Sequence, residues 1–239
     1  MTLNDKRVVI LGGTSGIGFA VAQAAAAEGA RLVVASSNPA GVAQALATLP
    51  PGAEGRPLDL LDGAAVERFF IEIGPFDHLV YTAGETLTLT RLDETDMASA
   101  RRFFELRYWG AFTAAKFGHR NIRAGGSIVF TSGAAAARPR PACSVVASVC
   151  SAMEGLTRSL AAELAPLRVN IVSPGVVRTP LWREMAEEAR ESLYASEAQR
   201  LPVGRVGETA EIAEGYLYLM RQTHMTGQTL SIDGGGLLA

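Results

Sequence analysis

The sequence predicts an α/β fold, a doubly wound parallel sheet of about seven strands with helices on both faces, in a single domain over residues 1–239. Three observations carry this expectation. Short apolar runs alternate with helical segments along the whole chain. A glycine cluster follows the first apolar run. No Pro/Gly/Ser-rich linker divides the 239 residues, 48% of them hydrophobic, which is enough material for one large core. Apolar strands alternating with helices require right-handed crossovers and a parallel sheet covered on both sides, so any ligand site is expected at the carboxyl ends of the strands.

The elements read in order as follows. Residues 7–11 form a short apolar strand, and after the glycine turn the alanine-rich residues 19–28 are long enough for a helix. Residues 32–35 read as the second strand, with Asn38 as N-cap and Pro39 as first helical residue of a helix reaching Leu49. A short third strand is expected at 57–60, with Asp62 placed to cap the next helix. Residues 78–83 give a fourth strand, 97–120 one long helix, 127–131 a fifth strand and 144–165 another long helix. Residues 168–173 and 229–232 supply two late strands, with helices around 180–193 and 210–220 between them.

Composition excludes several classes. Net charge is only −2 and the 22 basic residues are scattered rather than striped, so no nucleic-acid partner is expected. Two cysteines are too few for a disulfide framework and fit a reducing, cytoplasmic compartment. Residues 8–27 carry no charge, but the glycines in their middle suit a strand, a turn and a helix rather than a membrane span or signal peptide. His78, His119 and His224 have no metal-ligand spacing with one another or with the cysteines, so no metal is expected; His78 reads as a strand cap. Gly13-Thr14-Ser15-Gly16 looks like a nucleophile elbow until Ile17, which stands where the last glycine is required, so a hydrolase is disfavoured.

Gly12, Gly13, Thr14, Ser15, Gly16, Ile17 and Gly18 lie where backbone N–H groups and a helix dipole can receive a pyrophosphate. Glycines are needed there because a β-carbon would obstruct both the turn and the approach of a ligand. The alternative is a tight turn without a ligand.

The spacing G-x-x-x-G-x-G resembles that of the short-chain dehydrogenase/reductase family, a Rossmann-like fold, and the likeness extends over about the whole chain. Asp59, followed by Leu60, matches the family's acidic residue at the adenine. Tyr81-Thr82-Ala83-Gly84 matches its N-N-A-G strand end with both asparagines replaced. Ser173-Pro174-Gly175, with Val177 and Thr179, looks like the nicotinamide-side loop. Residues 154–160 resemble the family's long helix, and Thr226-Gly227-Gln228 with Asp233-Gly234-Gly235 its ending. An acidic residue after the second strand would take the ribose hydroxyls of NAD; here Ser36, Ser37 and Asn38 occupy those positions. They can donate to a 2′-phosphate, with Ser15 joining them, so NADP(H) is favoured over NAD(H). The alternative is that they form only a turn and a helix cap.

In that family a serine, a tyrosine and a lysine four residues after the tyrosine perform proton transfer, with an asparagine supporting a water relay. Matching Ser132 upstream and residues 154–160 downstream places Val146 at the tyrosine, Cys150 at the lysine and Arg107 at the asparagine. Only the serine remains. No shift of register restores the pair, because no tyrosine occurs between Tyr108 and Tyr194 and Lys116 is the last lysine. Valine transfers no proton, yet hydride transfer itself requires only proximity to an electrophilic carbon. By resemblance Arg107 neighbours the lysine position, where its guanidinium can stabilise an oxyanion, leaving proton delivery to Ser132 through water or to Glu85. The alternative is a structural ion pair at Arg107 and a strand-end cap at Ser132. Cys150 reads as a packed cysteine more readily than as a nucleophile. Cys143 and Cys150, about 10 Å apart if both are helical, cannot pair.

Residues 179–206 correspond to the family's variable substrate lid, with Leu181, Trp182, Met185 and Leu193 on its apolar side. Ala147, Ser148, Ser151, Ala152 and Gly155 keep the long helix slim, and the resemblance implies a homodimer or homotetramer through that surface. Two functions follow. One is an oxidoreductase moving a hydride between NADP(H) and a small carbonyl or alcohol substrate by an atypical proton path. The other is a dinucleotide-binding protein without redox activity: a sensor, a scaffold subunit, or a lyase or isomerase.

Overall fold

The computed structural model describes residues 2–87 and 89–239. Strand and helix alternate from β1 (Arg7–Leu11), α1 (Gly16–Ala27), β2 (Arg31–Ser36), α2 (Pro39–Thr48) and β3 (Glu54–Pro57) to α3 (Gly63–Ile73) and β4 (Phe76–Tyr81). The second half holds α4 (Met97–Phe104), α5 (Ala111–Gly118), β5 (Ile122–Thr131), α6 (Ser144–Glu163) and β6 (Arg168–Pro174). It closes with β7 (Val177–Arg178), α7 (Glu187–Arg200), β8 (Gly207–Glu208), α8 (Thr209–Arg221) and β9 (Thr229–Ile232).

Seven strands pair in the order β3-β2-β1-β4-β5-β6-β9, every pairing parallel. The order turns back at β1, whose Leu11 pairs with Ala35 of β2 on one side and Tyr81 of β4 on the other. The crevice of a doubly wound sheet lies at that point. The glycine turn after β1 and the Thr82-Ala83-Gly84 exit from β4 therefore emerge side by side.

Both sheet faces are covered, which explains why β4 and β6 are buried at every residue. On one face α1 and α8 supply Val21, Ala25, Ile212 and Tyr216 to a core with Ile10, Val34 and Val129. On the other, α3, α5 and α6 supply Phe69, Phe70, Ala114 and Leu156 against Leu11, Leu79 and Ile128. His78, expected as a strand cap, instead lies buried within β4, with its Nδ1 2.9 Å from Ser127 Oγ.

Several expected boundaries move: the first helix starts earlier, at Gly16, the fourth strand is Phe76–Tyr81 rather than 78–83, and the fifth begins at Ile122 rather than 127. Three further shifts bear on the site. The third strand is Glu54–Pro57 rather than 57–60, because Leu58 and Leu60 turn inward to fill the core while Asp62 caps α3 through Ala65 N. The single helix expected over 97–120 is interrupted by a π-helical turn at Glu105–Gly110. Its cause lies in another element: the Tyr81 hydroxyl donates to the Leu106 carbonyl, and a β-carbon on Gly110 would overlap the same hydroxyl. The lid helix expected over 180–193 is a 3-10 turn, Pro180–Trp182, capped by Thr179, followed by α7, which begins later and runs on to Arg200. Trp182, Tyr194, Leu201 and Val206 give this region a small core of its own. Among the described residues no helix is long and apolar enough to cross a membrane.

Candidate active site

The glycine turn is fixed by close packing against β4. Gly12 has φ +86°, and a β-carbon there would stand 2.6 Å from Ala83 N. At Gly18 a β-carbon would overlap Gly12 O and Thr82 Oγ1. Thr82 holds the arrangement by donating toward Leu11 O and Gly12 O at 3.2 and 3.3 Å. The N-terminus of α1 suits an anion: its first turn has no acidic residue and Ser15, its N-cap, makes no side-chain cap bond. Thr14, Gly16 and Ile17 complete the turn.

At the end of β2, Ser36 Oγ accepts from Asn38 N and Asn38 Oδ1 accepts from Ala40 N, so both side chains do cap and turn work. Each uses an acceptor, leaving the Ser36 hydroxyl proton and the Asn38 Nδ2 protons available beside the exposed Ser37. This chemistry fits a ribose phosphate. Asp59 is exposed and accepts from Leu61 N at 2.9 Å, while the Leu60 side chain packs in the core. Across the cleft Gly175 lies against Asp233, where a β-carbon would come within 2.9 Å of Asp233 Cα, and its N–H donates to Ile232 O. Pro174 ends β6, Val177 is buried in β7 and Thr179 caps the lid.

Next to this cleft lies a cavity of about 460 Å³ whose wall includes Ala83, Arg107, Ser132, Val146, Cys150 and Trp182. Val146 packs with Phe103, Val149 and Cys150. Val146 and Cys150 thus belong to an apolar stretch of the cavity wall. Burial pushes the Cys150 thiol up to about 11, outweighing the nearby charge of Arg107, so the thiol stays protonated at neutral pH. Both cysteines are free; Cys143 stands at the N-cap of α6.

Arg107 projects from the π-helical turn. Its guanidinium lies flat on Gly84, where a β-carbon would come within 2.7 Å of Cζ, and stacks 4.4 Å from the centroid of Phe103. It donates through Nη2 to the Glu85 carbonyl at 2.5 Å, and its Nε is 3.4 Å from Glu85 Oε2. That last approach is close enough for an ion pair but not aligned for a hydrogen bond, and both atoms are otherwise buried without partners. Burial raises the Glu85 carboxyl and lowers the guanidinium, each charge partly offsetting the other's penalty. Arg107 and Ser132 share the cavity wall; Glu85 stands behind Arg107 rather than in the wall.

Ser132 follows β5, with its N–H held by Val172 O at 2.8 Å. Its hydroxyl has two acceptors, the Cys150 carbonyl at 3.2 Å and Glu154 Oε1 at 3.1 Å. Glu154 is a neighbour that sequence reasoning passed over; its spacing of four residues from Cys150 on one helix face was the available signal. Also unforeseen were Arg138, Arg140, Glu197 and Arg200, which meet at the cavity rim from two distant segments. Among the described residues no group of three His, Cys, Asp or Glu side chains is placed to hold a metal ion.

A parallel sheet with this strand order, a glycine turn at its switch point and a serine-bearing cavity beside it define an NAD(P)-type oxidoreductase domain. The chain belongs to the short-chain dehydrogenase/reductase family, whose members bind NAD(P). Residues 12–236 match a family model described as Enoyl-(Acyl carrier protein) reductase. The short-chain dehydrogenase/reductase ATR9 of Stachybotrys chlorohalonatus is 36% identical, over 99% of this chain and 99% of the relative. A small-chain dehydrogenase solved in complex with NADPH superposes with a TM-score of 0.88 at 36% identity, covering 99% of this chain and 100% of the other. MalC Reductase/Diels-Alderase from Malbranchea aurantiaca gives a TM-score of 0.91 at 32% identity, over 99% and 98% of the two chains.

Proposed function

We propose that this protein transfers a hydride between NADP(H) and a small carbonyl or alcohol substrate, with an altered proton path. The observation that carries this reading is the position of Arg107: a permanently charged guanidinium in the cavity wall, beside Cys150, where the family's lysine would stand. Bound NADPH would supply the hydride. Gly12, Ser15, Gly16 and Gly18 would hold the pyrophosphate; Ser36, Ser37 and Asn38 the 2′-phosphate; Asp59 and Leu60 the adenine side; and Ala83, Gly84, Pro174, Gly175, Val177 and Thr179 the nicotinamide side. Its relative solved with NADPH supports the choice of NADP over NAD.

Arg107 stabilises a developing oxyanion without donating a proton. Ser132, linked to Glu154, is the proton source in the cavity wall, and Glu85, its carboxyl raised by burial, is the second candidate and would have to deliver its proton past Arg107. A substrate in the cavity would meet the apolar side chains of Val146, Val149 and Phe103, which would keep water from that side. Missing general-acid catalysis costs about 10²- to 10⁴-fold in rate, so turnover should be slow unless the substrate is activated.

The second reading is a dinucleotide-binding protein with non-redox chemistry. It is favoured by the apolar wall at Val146 and by the inward hydrogen bonding of Ser132, and a relative described as both reductase and Diels-Alderase is consistent with it. Fluorescence titration with NADPH and NADH tests cofactor binding. Absorbance at the nicotinamide band with a panel of aldehydes and ketones tests redox turnover. Binding with oxidation of NADPH supports the first reading; binding without it supports the second; no binding below millimolar concentration overturns both.

Assembly as a homodimer or homotetramer belongs to the same proposal. Trp109 and Phe112 are exposed on the segment packed beside α6, where Gly155 has open space above it. Sedimentation at micromolar concentration tests this, and a monomer would refute it.

A further inference from the structure

The rim of the cavity carries a cluster that neither hydride transfer nor cofactor binding uses. Arg138 and Arg140 come from the segment between β5 and α6, Glu197 and Arg200 from α7, and all four line the cavity. Glu197 is 4% exposed, and its carboxylate accepts from both ends of the Arg140 fork and from Arg200 Nη2 at 2.9 Å. Arg200 Nη1 also donates to Gly236 O at 3.0 Å and Ala239 O at 3.1 Å. Arg138 donates to Gly236 O at 3.1 Å, and among the described residues it has no carboxylate partner.

The three guanidiniums are not equally partnered. Arg140 and Arg200 meet the Glu197 carboxylate, and Arg200 also meets the Ala239 oxygen, whereas Arg138 has only a backbone oxygen. Asp233 directs its oxygens to its own turn, accepting from Gly235 N at 3.0 Å and Leu237 N at 2.8 Å. Arg200 Nε is buried with no acceptor, and most of the five N–H donors of Arg138 are unspent. The rest of the cavity wall is apolar, including Leu87, Phe103, Val149 and Met153.

Building on the reading of this cavity as the substrate chamber, we propose that it takes a substrate with an apolar body and a carboxylate end, the carboxylate seated on Arg138 beside Arg140 and Arg200. Arg138, the one guanidinium of the three without a carboxylate partner among the described residues, offers the fork that a single carboxylate fits. Glu197 sets the two neighbouring guanidiniums in place before the ligand arrives, so little ordering cost falls on binding.

The test is calorimetric titration of the NADPH-loaded protein with 5-phenylpentanoate and with its methyl ester, which share an apolar body. The acid is expected to bind at least about tenfold more tightly, as a charge-assisted hydrogen bond implies. That ratio should shrink at high salt and fall toward unity in Arg138→Gln. Equal affinities in the wild-type protein overturn the proposal, a result that needs no variant to fold. A ratio unchanged in a folded Arg138→Gln overturns it too. The same samples report NADPH affinity separately: acid preference without NADPH binding leaves this site standing and removes the oxidoreductase reading, and NADPH binding without acid preference does the opposite.

Discussion

Arg107 and Glu85 are held together from two elements: the guanidinium donates to the Glu85 carbonyl at 2.5 Å, while its Nε stands 3.4 Å from the Glu85 carboxylate without an aligned hydrogen bond. The backbone bond fixes where Arg107 lies, and the loose side-chain contact leaves donor capacity for an incoming oxyanion. For any carbonyl compound that the protein reduces, Arg107→Ala is expected to lower kcat/KM by about 10²-fold, the cost typical of removing an oxyanion donor. NADPH affinity should stay within about twofold, because Arg107 is not among the residues proposed to hold the cofactor. Unchanged turnover would show that Arg107 is structural.

Placing a lysine at position 150 without other changes should harm this protein. In Cys150→Lys a second cation enters a buried site already holding Arg107, with no new carboxylate to meet it. The expected loss is about 3 kcal/mol, or roughly 6–12 °C in Tm for a chain of this size. The double variant Cys150→Lys, Arg107→Ala should recover part of that loss, since one cation then replaces another. Thermal melts of the three variants check this, and additive losses would refute it.

His78 gives the fold a defined pH response. Burial, with help from the charge of Arg168, lowers its pKa to about 4 from an unfolded value near 6.5. Between those values the unfolded chain binds the proton and the folded chain does not, so stability rises with pH across this window. The contribution is fully present above about pH 6.5 and is lost as pH falls toward 4, amounting to roughly 3 kcal/mol. Urea midpoints at pH 7 and pH 5 should differ in the wild-type protein, and the difference should narrow in His78→Gln.

Gly18→Ala is expected to weaken NADPH binding at least about tenfold and to lower stability by about 1–3 kcal/mol. The added methyl group would overlap Gly12 O and Thr82 Oγ1, forcing the glycine turn away from β4. NADPH titration and a thermal melt measure the two effects, and a variant that binds like wild type would show that the turn tolerates the displacement.

Much of the molecule is legible in the linear chain. Apolar runs and caps located most of the strands and helices, since burial on both faces of a sheet demands continuous hydrophobic residues and caps depend on near neighbours. Asn38 and Asp62 cap the helices they were expected to cap. The absence of tyrosine and lysine from positions 146 and 150 is likewise written in the sequence. The boundaries that moved answer to distant partners: the π-helical turn around Arg107 depends on Tyr81, twenty-odd residues earlier, whose hydroxyl reaches the Leu106 carbonyl.

The sequence by itself determined the sheet, the glycine turn after its first strand and the valine and cysteine at positions 146 and 150, because each rests on residue type and short-range spacing. Only the tertiary structure decided what gathers around them. Arg107 meets Glu85 across Gly84, Ser132 turns to Glu154, and Arg138, Arg140 and Arg200 gather around Glu197, from segments far apart in the chain. Such meetings are set by how helices pack on the sheet, and no local pattern of residues encodes them.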